Sequence, residues 1–195
     1  VQNYIADIKI ADEQMMIRKI NGFEEGFKFT IPELTVFNAG DIDNSMLELP
    51  CTIKYDDPMN PTKNDTFYNS TIKWQGTSSL EYPIKNYTIT LNKNGRPFYG
   101  WTPDDNWKPE SRWTLKANYM DSSQSDNVGF SKFAYDIGKT NVVPLQKEKE
   151  GIRTNIDGFP IRFYVDNGNG KQFKGIYTFN IDRYSYNNYG FSTYT

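Results

Sequence analysis

The sequence predicts an α+β fold, in which a mainly antiparallel sheet packs against one main helix. Three observations support this expectation. Aromatic residues make up 16% of the 195 residues, and most of them are Tyr and Phe, which favour strands. Several short segments alternate apolar and polar residues, as half-buried strands do. One segment places its apolar residues at the spacing of a helical face.

The length of the chain suits one domain with an extra arm. Residues 1–45 are expected to form an N-terminal arm or an edge hairpin, because their apolar residues are scattered around the turn-forming segment Gly22–Gly26. Residues 46–195 are expected to form the main domain.

Three strands are expected in the first half of this domain. Leu47–Tyr55 is the first, and Pro50 indicates a sheet edge there, because proline cannot donate to a strand ladder. Phe67–Trp74 is the second strand. Tyr87–Leu91 alternates apolar residues with threonines and is the third. The segment Asn92–Gly95 predicts a tight turn after it.

The main helix is predicted at Ser125–Gly138, after a short strand at Trp113–Ala117. Its apolar residues recur at i, i+3, i+4 and i+7, which places them on one face. They are Phe130, Phe133, Ala134 and Ile137. We therefore expect this face to pack on the sheet.

A hairpin is the last predicted element. Ile161, Phe163 and Val165 alternate along its first strand. The run Gly175–Phe179 lies on the second strand, and the turn-forming segment Asp166–Gly170 joins the two.

Charge and composition exclude several classes of function. The 22 Lys and Arg against 24 Asp and Glu give a net charge of −2, so nucleic acid and acidic membranes are not expected partners. The absence of histidine excludes catalytic triads and metal sites built on that residue. Cys51 is the only cysteine, which excludes an intrachain disulfide. No apolar run approaches the ~20 residues that span a bilayer, so membrane insertion is not expected.

Five residues are candidates for a binding site, and each has a structural alternative. Gly76 and Ser78 could hold a phosphate with backbone N–H groups, or could simply form a turn. Lys85 could contact the same phosphate, or lie solvated at the start of a strand. Asn118 and Asp121 could bind a metal or position a substrate, or could satisfy free N–H groups where a helix begins.

A carbohydrate surface is a further candidate. Asp104 and Asp105 lie between Trp101 and Trp107, and an aromatic platform beside carboxylates suits a sugar. The alternative is that these tryptophans pack in the core.

Three segments carry a resemblance when they are taken in order. The first joins the turn Gly76–Ser79 to Lys85 and the strand Tyr87–Leu91, the second is Trp113–Asp121, and the third ends in Gly175–Tyr177. Together they resemble the N-terminal half of the CotH kinase-like family, whose members include spore-coat protein kinases. The resemblance covers roughly residues 47–183.

The chain departs from the family pattern at two places. Gln75 stands where an arginine or glycine is common. Asp126 and Asn127 stand where an Arg-Asn pair usually starts the helix, which weakens any role that rests on that arginine.

The resemblance implies a fold like the smaller, N-terminal lobe of a kinase, with Lys85 on the phosphates of ATP and with Mg²⁺ as a second cofactor. The catalytic and metal-binding aspartates of the family follow the Gly-Ile-Tyr hairpin, so this chain is expected to lack them. The catalytic residues therefore stay unassigned, and no metal site is assigned.

The expected function is a structural or attachment module. We expect it to belong to a phage tail or baseplate virion protein, or to a bacterial surface or spore-coat protein, with other assembly subunits as partners. The alternative is an ATP-dependent atypical protein kinase whose catalytic lobe is missing from this chain.

Overall fold

Twelve strands and two α-helices form in the part of the chain that the computed structural model describes. That part comprises residues 9–11, 14–17, 27–29, 31–43, 46–121, 126–140, 152–153 and 155–190. The strands are β1 (Lys9–Ala11), β2 (Gln14–Ile17), β3 (Phe27–Phe29), β4 (Glu33–Phe37), β5 (Leu49–Asp56), β6 (Asp65–Gln75), β7 (Asn86–Thr90), β8 (Asn92–Lys93), β9 (Arg96–Pro97), β10 (Arg112–Lys116), β11 (Gly158–Asp166) and β12 (Gln172–Ile181). The helices are α1 (Asp126–Thr140) and α2 (Tyr186–Tyr189), and two 3-10 turns span Pro61–Lys63 and Ser78–Glu81.

Seven of these strands close into a barrel, in the order β10-β12-β11-β4-β5-β6-β7. β7 pairs with β10 to complete the ring, and Trp113 of β10 lies opposite both Ile89 and Ile181. All neighbours are antiparallel except β11 and β4, which run parallel with Phe163 opposite Leu34. Closure matters because it removes the free edges of the sheet.

The two smaller sheets lie outside this ring of strands. β1, β2 and β3 form a three-stranded antiparallel sheet within the segment predicted as an arm. β4 comes from the same segment but is a barrel strand. β8 and β9 pair across the tight turn predicted at Asn92–Gly95, where Asn94 (φ 55°) and Gly95 (φ 74°) supply the positive φ angles that such a turn requires.

The interior of the barrel is filled mainly by aromatic side chains. Alternation along each strand turns every second residue inward, as in β5, where Cys51, Ile53 and Tyr55 are buried and their neighbours are not. The rings of Trp113 and Phe179 stack with centroids 5.4 Å apart. Fully burying a large apolar side chain contributes about 1.5–3 kcal/mol, so this interior is the main source of stability.

A β-bulge interrupts the pairing of β11 with β12. The register shifts between Phe163 and Tyr164, and Gly175 lies opposite Phe163. Gly175 has φ 137°, a conformation that L side chains rarely adopt. Glycine at this position therefore allows the bend that helps the sheet to close.

The predicted α+β fold with one packed helix is wrong, and so is the likeness to a kinase N-terminal lobe that the resemblance implied. The described residues are mostly a closed seven-stranded barrel with few helices. An open sheet would leave an apolar face for a helix to cover. A closed barrel instead turns its apolar side chains inward, and no such face remains.

Helix α1 forms close to its predicted bounds, although Ser125 lies outside the described residues. Its predicted core face points to solvent. Phe130 is 71% exposed, Phe133 63% and Ile137 44%. The helical spacing of the apolar residues therefore predicted the helix correctly, but it did not predict that their face is exposed.

Candidate functional site

A cleft of about 620 Å³ lies on the outer face of the barrel. Its floor includes Lys116 of β10 and Asn180 of β12. Leu115 and Phe179 precede them and are fully buried, so alternation directs Lys116 and Asn180 to the opposite, outer side of the sheet. The floor is thus set by strand register rather than by a loop.

Two segments form the walls of this cleft. The loop after β10 contributes Asn118 and Asp121, and the segment before β7 contributes Tyr82 and Ile84. The cleft therefore brings together two of the residues predicted from the sequence.

Asn118 has an unusual backbone conformation, and hydrogen bonds hold its side chain in place. Its backbone is left-handed, with φ 47°. Its Nδ2 donates to the Thr178 hydroxyl at 2.7 Å, and its Oδ1 accepts from Asn127 Nδ2 at 2.9 Å. The side chain therefore bridges β12 and the first turn of α1.

Asp121 connects the same loop to the helix. Its Oδ2 accepts a 2.8 Å hydrogen bond from the backbone N–H of Asp126, at the start of α1. Its own N–H donates to the carbonyl of Asn118 at 2.8 Å. These contacts match the helix-entry network that was the structural alternative for Asn118 and Asp121.

Lys116 supplies a half-buried cation at the floor. Burial lowers the pKa of its ammonium below the ordinary value of 10.5, since desolvation disfavours the charged form. The charge of Arg183 acts in the same direction, whereas that of Asp182 opposes both.

Asn180 is 5% exposed, and its Oδ1 is buried without a hydrogen-bond partner among the described residues. This oxygen lies against Gly158, where a Cβ would overlap it. A buried acceptor without a donor is uncommon and calls for an explanation.

Two aromatic rings form the rim. Tyr82 and Tyr119 stack with centroids 5.2 Å apart and an interplanar angle of 26°. Tyr119 is 45% exposed, so the rim presents aromatic surface to solvent.

Lys85 lies away from this cleft and is used by the fold. Its Nζ donates to the carbonyls of Leu80 at 2.6 Å and Tyr82 at 2.7 Å, and it sits 5.0 Å from the centroid of the Trp74 ring. The ammonium therefore closes the 3-10 turn before β7. Neither interpretation from the sequence, a phosphate contact or a solvated lysine, included this role in the turn.

Gly76 and Ser78 form a turn. Gly76 has φ 122°, and a Cβ on it would overlap the Ser79 hydroxyl. Ser78 is exposed at the start of the 3-10 turn. Neither residue lines the cleft, although their neighbour Ser79 does.

The tryptophans of the predicted carbohydrate surface are in the core. Trp101 is 7% exposed and Trp107 is 3% exposed. Trp101 packs edge-on against Tyr55 and Phe67, with centroids 5.1 and 5.2 Å away. Core packing, the alternative interpretation, describes both tryptophans.

The residues of the cleft that were not predicted as site residues include Lys116, Asn180 and Tyr119. The signal for the first was present, because Thr114 and Lys116 alternate with apolar residues along a predicted strand. Nothing local marked Asn180, since its position depends on which strand pairs with β10.

The described residues show neither a metal-binding cluster nor a membrane-crossing helix. No group of three or more His, Cys, Asp or Glu side chains within them is placed to hold a metal ion. Among the same residues, no helix has both the length and the apolar character needed to cross a bilayer.

Comparison with known proteins leaves the family of this chain open. No protein-family model matches the sequence, and no curated protein matches it either.

Proposed function

We propose that this chain is a structural or attachment module that docks on another protein subunit of a larger assembly. In line with the resemblance, that assembly is a phage tail or baseplate, or a bacterial surface or spore-coat layer. The observation that carries the proposal is the exposed apolar face of α1.

The docking face is defined by Phe130, Phe133, Ala134 and Ile137. All four residues are exposed, and they follow one another along a single side of the helix. Soluble monomers seldom expose a contiguous apolar stripe of this kind, and such stripes commonly mark contacts with other proteins.

Contacts hold the opposite side of α1 against residues that lie just before β11. Asn155 Nδ2 donates to the carbonyl of Ser131 at 2.7 Å. Lys132 Nζ lies 3.6 Å from Asp157 Oδ1, and the guanidinium of Arg153 lies 4.9 Å from the centroid of the Tyr135 ring. These contacts leave the apolar stripe of the helix facing outward.

The partner surface that suits this stripe is an apolar groove or helix surface on a neighbouring subunit. An amphipathic helix binds such a groove through residues spaced i, i+3, i+4 and i+7, and this is the spacing of the stripe.

The test replaces Phe130 and Phe133 together by serine in the parent protein. The measured quantity is the fraction of protein that co-sediments with assembled particles. We expect it to fall by at least about tenfold, since buried aromatic anchors dominate interface energy. The control pair, Tyr68→Ser with Tyr99→Ser, changes two exposed tyrosines on the barrel side of the molecule and is expected to assemble normally.

Two results would contradict the proposal. One is normal incorporation of the Phe130→Ser, Phe133→Ser protein. The other is loss of folding in this variant, shown by circular dichroism, because that would mean that the two rings are needed within the chain itself.

No described contact favours the kinase alternative. The ammonium of Lys85 is engaged by the carbonyls of Leu80 and Tyr82, so the residues present do not fit a phosphate at that position. We therefore derive no phosphoryl-transfer step.

A further inference from the structure

We propose that the cleft between the Tyr82–Tyr119 rim and the start of α1 binds a neutral saccharide. This inference goes beyond the assembly role, because it uses different residues from the apolar face of α1. It also differs from the carbohydrate surface predicted from the sequence, whose tryptophans lie in the core.

The cleft has the size and composition of a small-molecule site. Its volume of about 620 Å³ falls within the range of pockets that hold small ligands. Ile84, Val128 and Ile156 give it an apolar lining beside the polar groups of the floor. A few polar groups set in apolar surroundings are what fixes the orientation of a bound ligand.

The floor offers a hydrogen-bond donor to a ligand. The half-buried Lys116 lines it, and an ammonium can only donate. Asn180 also lines the floor, but its Oδ1 is buried and lies against Gly158. A hydroxyl group matches Lys116, because its oxygen accepts hydrogen bonds. A ligand with several hydroxyls would therefore engage the floor through Lys116.

The rim offers the second feature that a sugar requires. Tyr119 is 45% exposed and is supported from behind by its stack on Tyr82. The face of an aromatic ring carries partial negative charge and attracts the positive edge of C–H groups. A pyranose ring presents such C–H groups on one face and hydroxyls around its edge.

The balance of charge argues for a neutral ligand over an anion. The charged residues in the described lining are Lys116, Asp121 and Asp126. The two carboxylates at the wall repel an anion, and the single cation at the floor does not outweigh them. These charges disfavour a phosphate or an acidic peptide. They do not oppose a neutral molecule that is rich in hydroxyl groups.

The experiment titrates the full chain with N-acetylglucosamine, glucose, galactose, mannose and their short oligosaccharides. Saturation-transfer NMR detects binding, and calorimetry measures the affinity. Inorganic phosphate serves as the anionic probe.

The test variants are Tyr119→Ala, which removes the exposed ring, and Lys116→Met, which keeps the aliphatic part of the side chain and removes the hydrogen-bond donor. Tyr68→Ala is the matched control, since Tyr68 is an exposed tyrosine outside the cleft.

We expect at least one saccharide to bind, and each test variant to weaken it by about tenfold or more, while Tyr68→Ala stays within about twofold. Circular dichroism confirms that each variant is folded. The inference is overturned if no saccharide binds, if phosphate alone binds, or if either folded test variant keeps the affinity of the parent chain. Because the titration uses the isolated chain and leaves α1 unchanged, its outcome is separate from that of the particle assay.

Discussion

Lys85 and Trp74 form a cation–π contact, with Nζ 5.0 Å from the centroid of the indole ring. The same ammonium donates to the carbonyl of Leu80, in the 3-10 turn Ser78–Glu81, and to that of Tyr82, the residue after this turn. The lysine for which the resemblance implies phosphate binding thus connects β6 to the segment that leads into β7.

Replacing Lys85 by methionine should destabilise the fold by about 1–3 kcal/mol, because the carbonyls of Leu80 and Tyr82 lose a charged donor. Urea unfolding measures the change. Lys54→Met is the control, since its ammonium pairs with Asp56 on the surface and should contribute less than about 1 kcal/mol. Equal stabilities for the two variants would contradict this structural role of Lys85.

Gly76→Ala should destabilise the chain by about 1–3 kcal/mol, because a Cβ is strained at φ 122° and overlaps the Ser79 hydroxyl. Gly95→Ala is the matched control. Gly95 also has a positive φ, of 74°, but nothing lies within 4 Å of its Cβ position. Gly95→Ala should therefore destabilise the chain by only ~1 kcal/mol, which is the cost of placing an L residue in the left-handed conformation.

A double variant separates strain from overlap at Gly76. Ser79→Ala removes the hydroxyl and leaves a Cβ at 3.4 Å, which is an ordinary contact distance. Gly76→Ala should therefore cost less in the Ser79→Ala background than in the parent chain, as thermal unfolding can show. An unchanged cost would assign the whole effect to the backbone.

Stability should fall in alkaline solution, and Cys51 is one cause. Burial raises the pKa of its thiol from 9.0 to about 12. Below pH 9.0 the thiol is protonated in both the folded and unfolded chain, so its contribution to stability is complete. As the pH rises toward 12, only the unfolded chain ionises, and the free energy of unfolding decreases.

Urea unfolding from pH 8 to pH 11 tests this dependence. Cys51→Ala should show a shallower decline with pH than the parent chain, whatever its stability at pH 8. Some decline should persist, because burial also raises the pKa of Tyr55, Tyr87 and Tyr177. Identical slopes with and without the thiol would contradict the assignment, and so would rapid labelling of native Cys51 by a thiol reagent at pH 8.

Trp101→Ala should destabilise the fold by about 3–5 kcal/mol, because it empties a site packed by Tyr55, Phe67 and Trp113. Calorimetric unfolding measures the loss. Tyr99→Ala, which changes an aromatic side chain that is 60% exposed, should stay within about 0.5 kcal/mol. If the Trp101→Ala protein were stable and had lost sugar binding, the result would support the carbohydrate surface predicted from the sequence, in which Trp101 contacts the ligand.

The local elements of this protein were predictable from the sequence because alternation and helical spacing are local signals. Strands were expected at Leu47–Tyr55 and Trp113–Ala117, and they form as β5 and β10 within two residues at each end. The sheet edge predicted at Pro50 was wrong, because β5 pairs with both β4 and β6 in the closed barrel. Pro50 lies opposite Thr71 of β6, and the ladder with β4 ends at Thr52, so its missing N–H costs that ladder no hydrogen bond.

The candidate site was only partly predictable. Asn118 and Asp121 were noted from their motif, and they do meet in the cleft. Lys116 and Asn180 at the floor of the cleft were not predicted, because they become neighbours only when β10 pairs with β12. Lys85 is separated from the cleft because its side chain turns toward Trp74, whereas the next residue, Asn86, faces the cleft.

Local patterns in the sequence predict six of the seven barrel strands, the turns that follow β7 and β11, and the periodic face of α1, since each depends on residues a few positions apart. They do not predict β4. Tertiary structure alone decided that the sheet closes, through the parallel pairing of β4 with β11. That pairing joins distant parts of the chain, and no local pattern encodes it. Closure turned the apolar residues of the strands inward, left Phe130 and Phe133 without a sheet to cover, and placed Lys116 beside Asn180 on the outer wall.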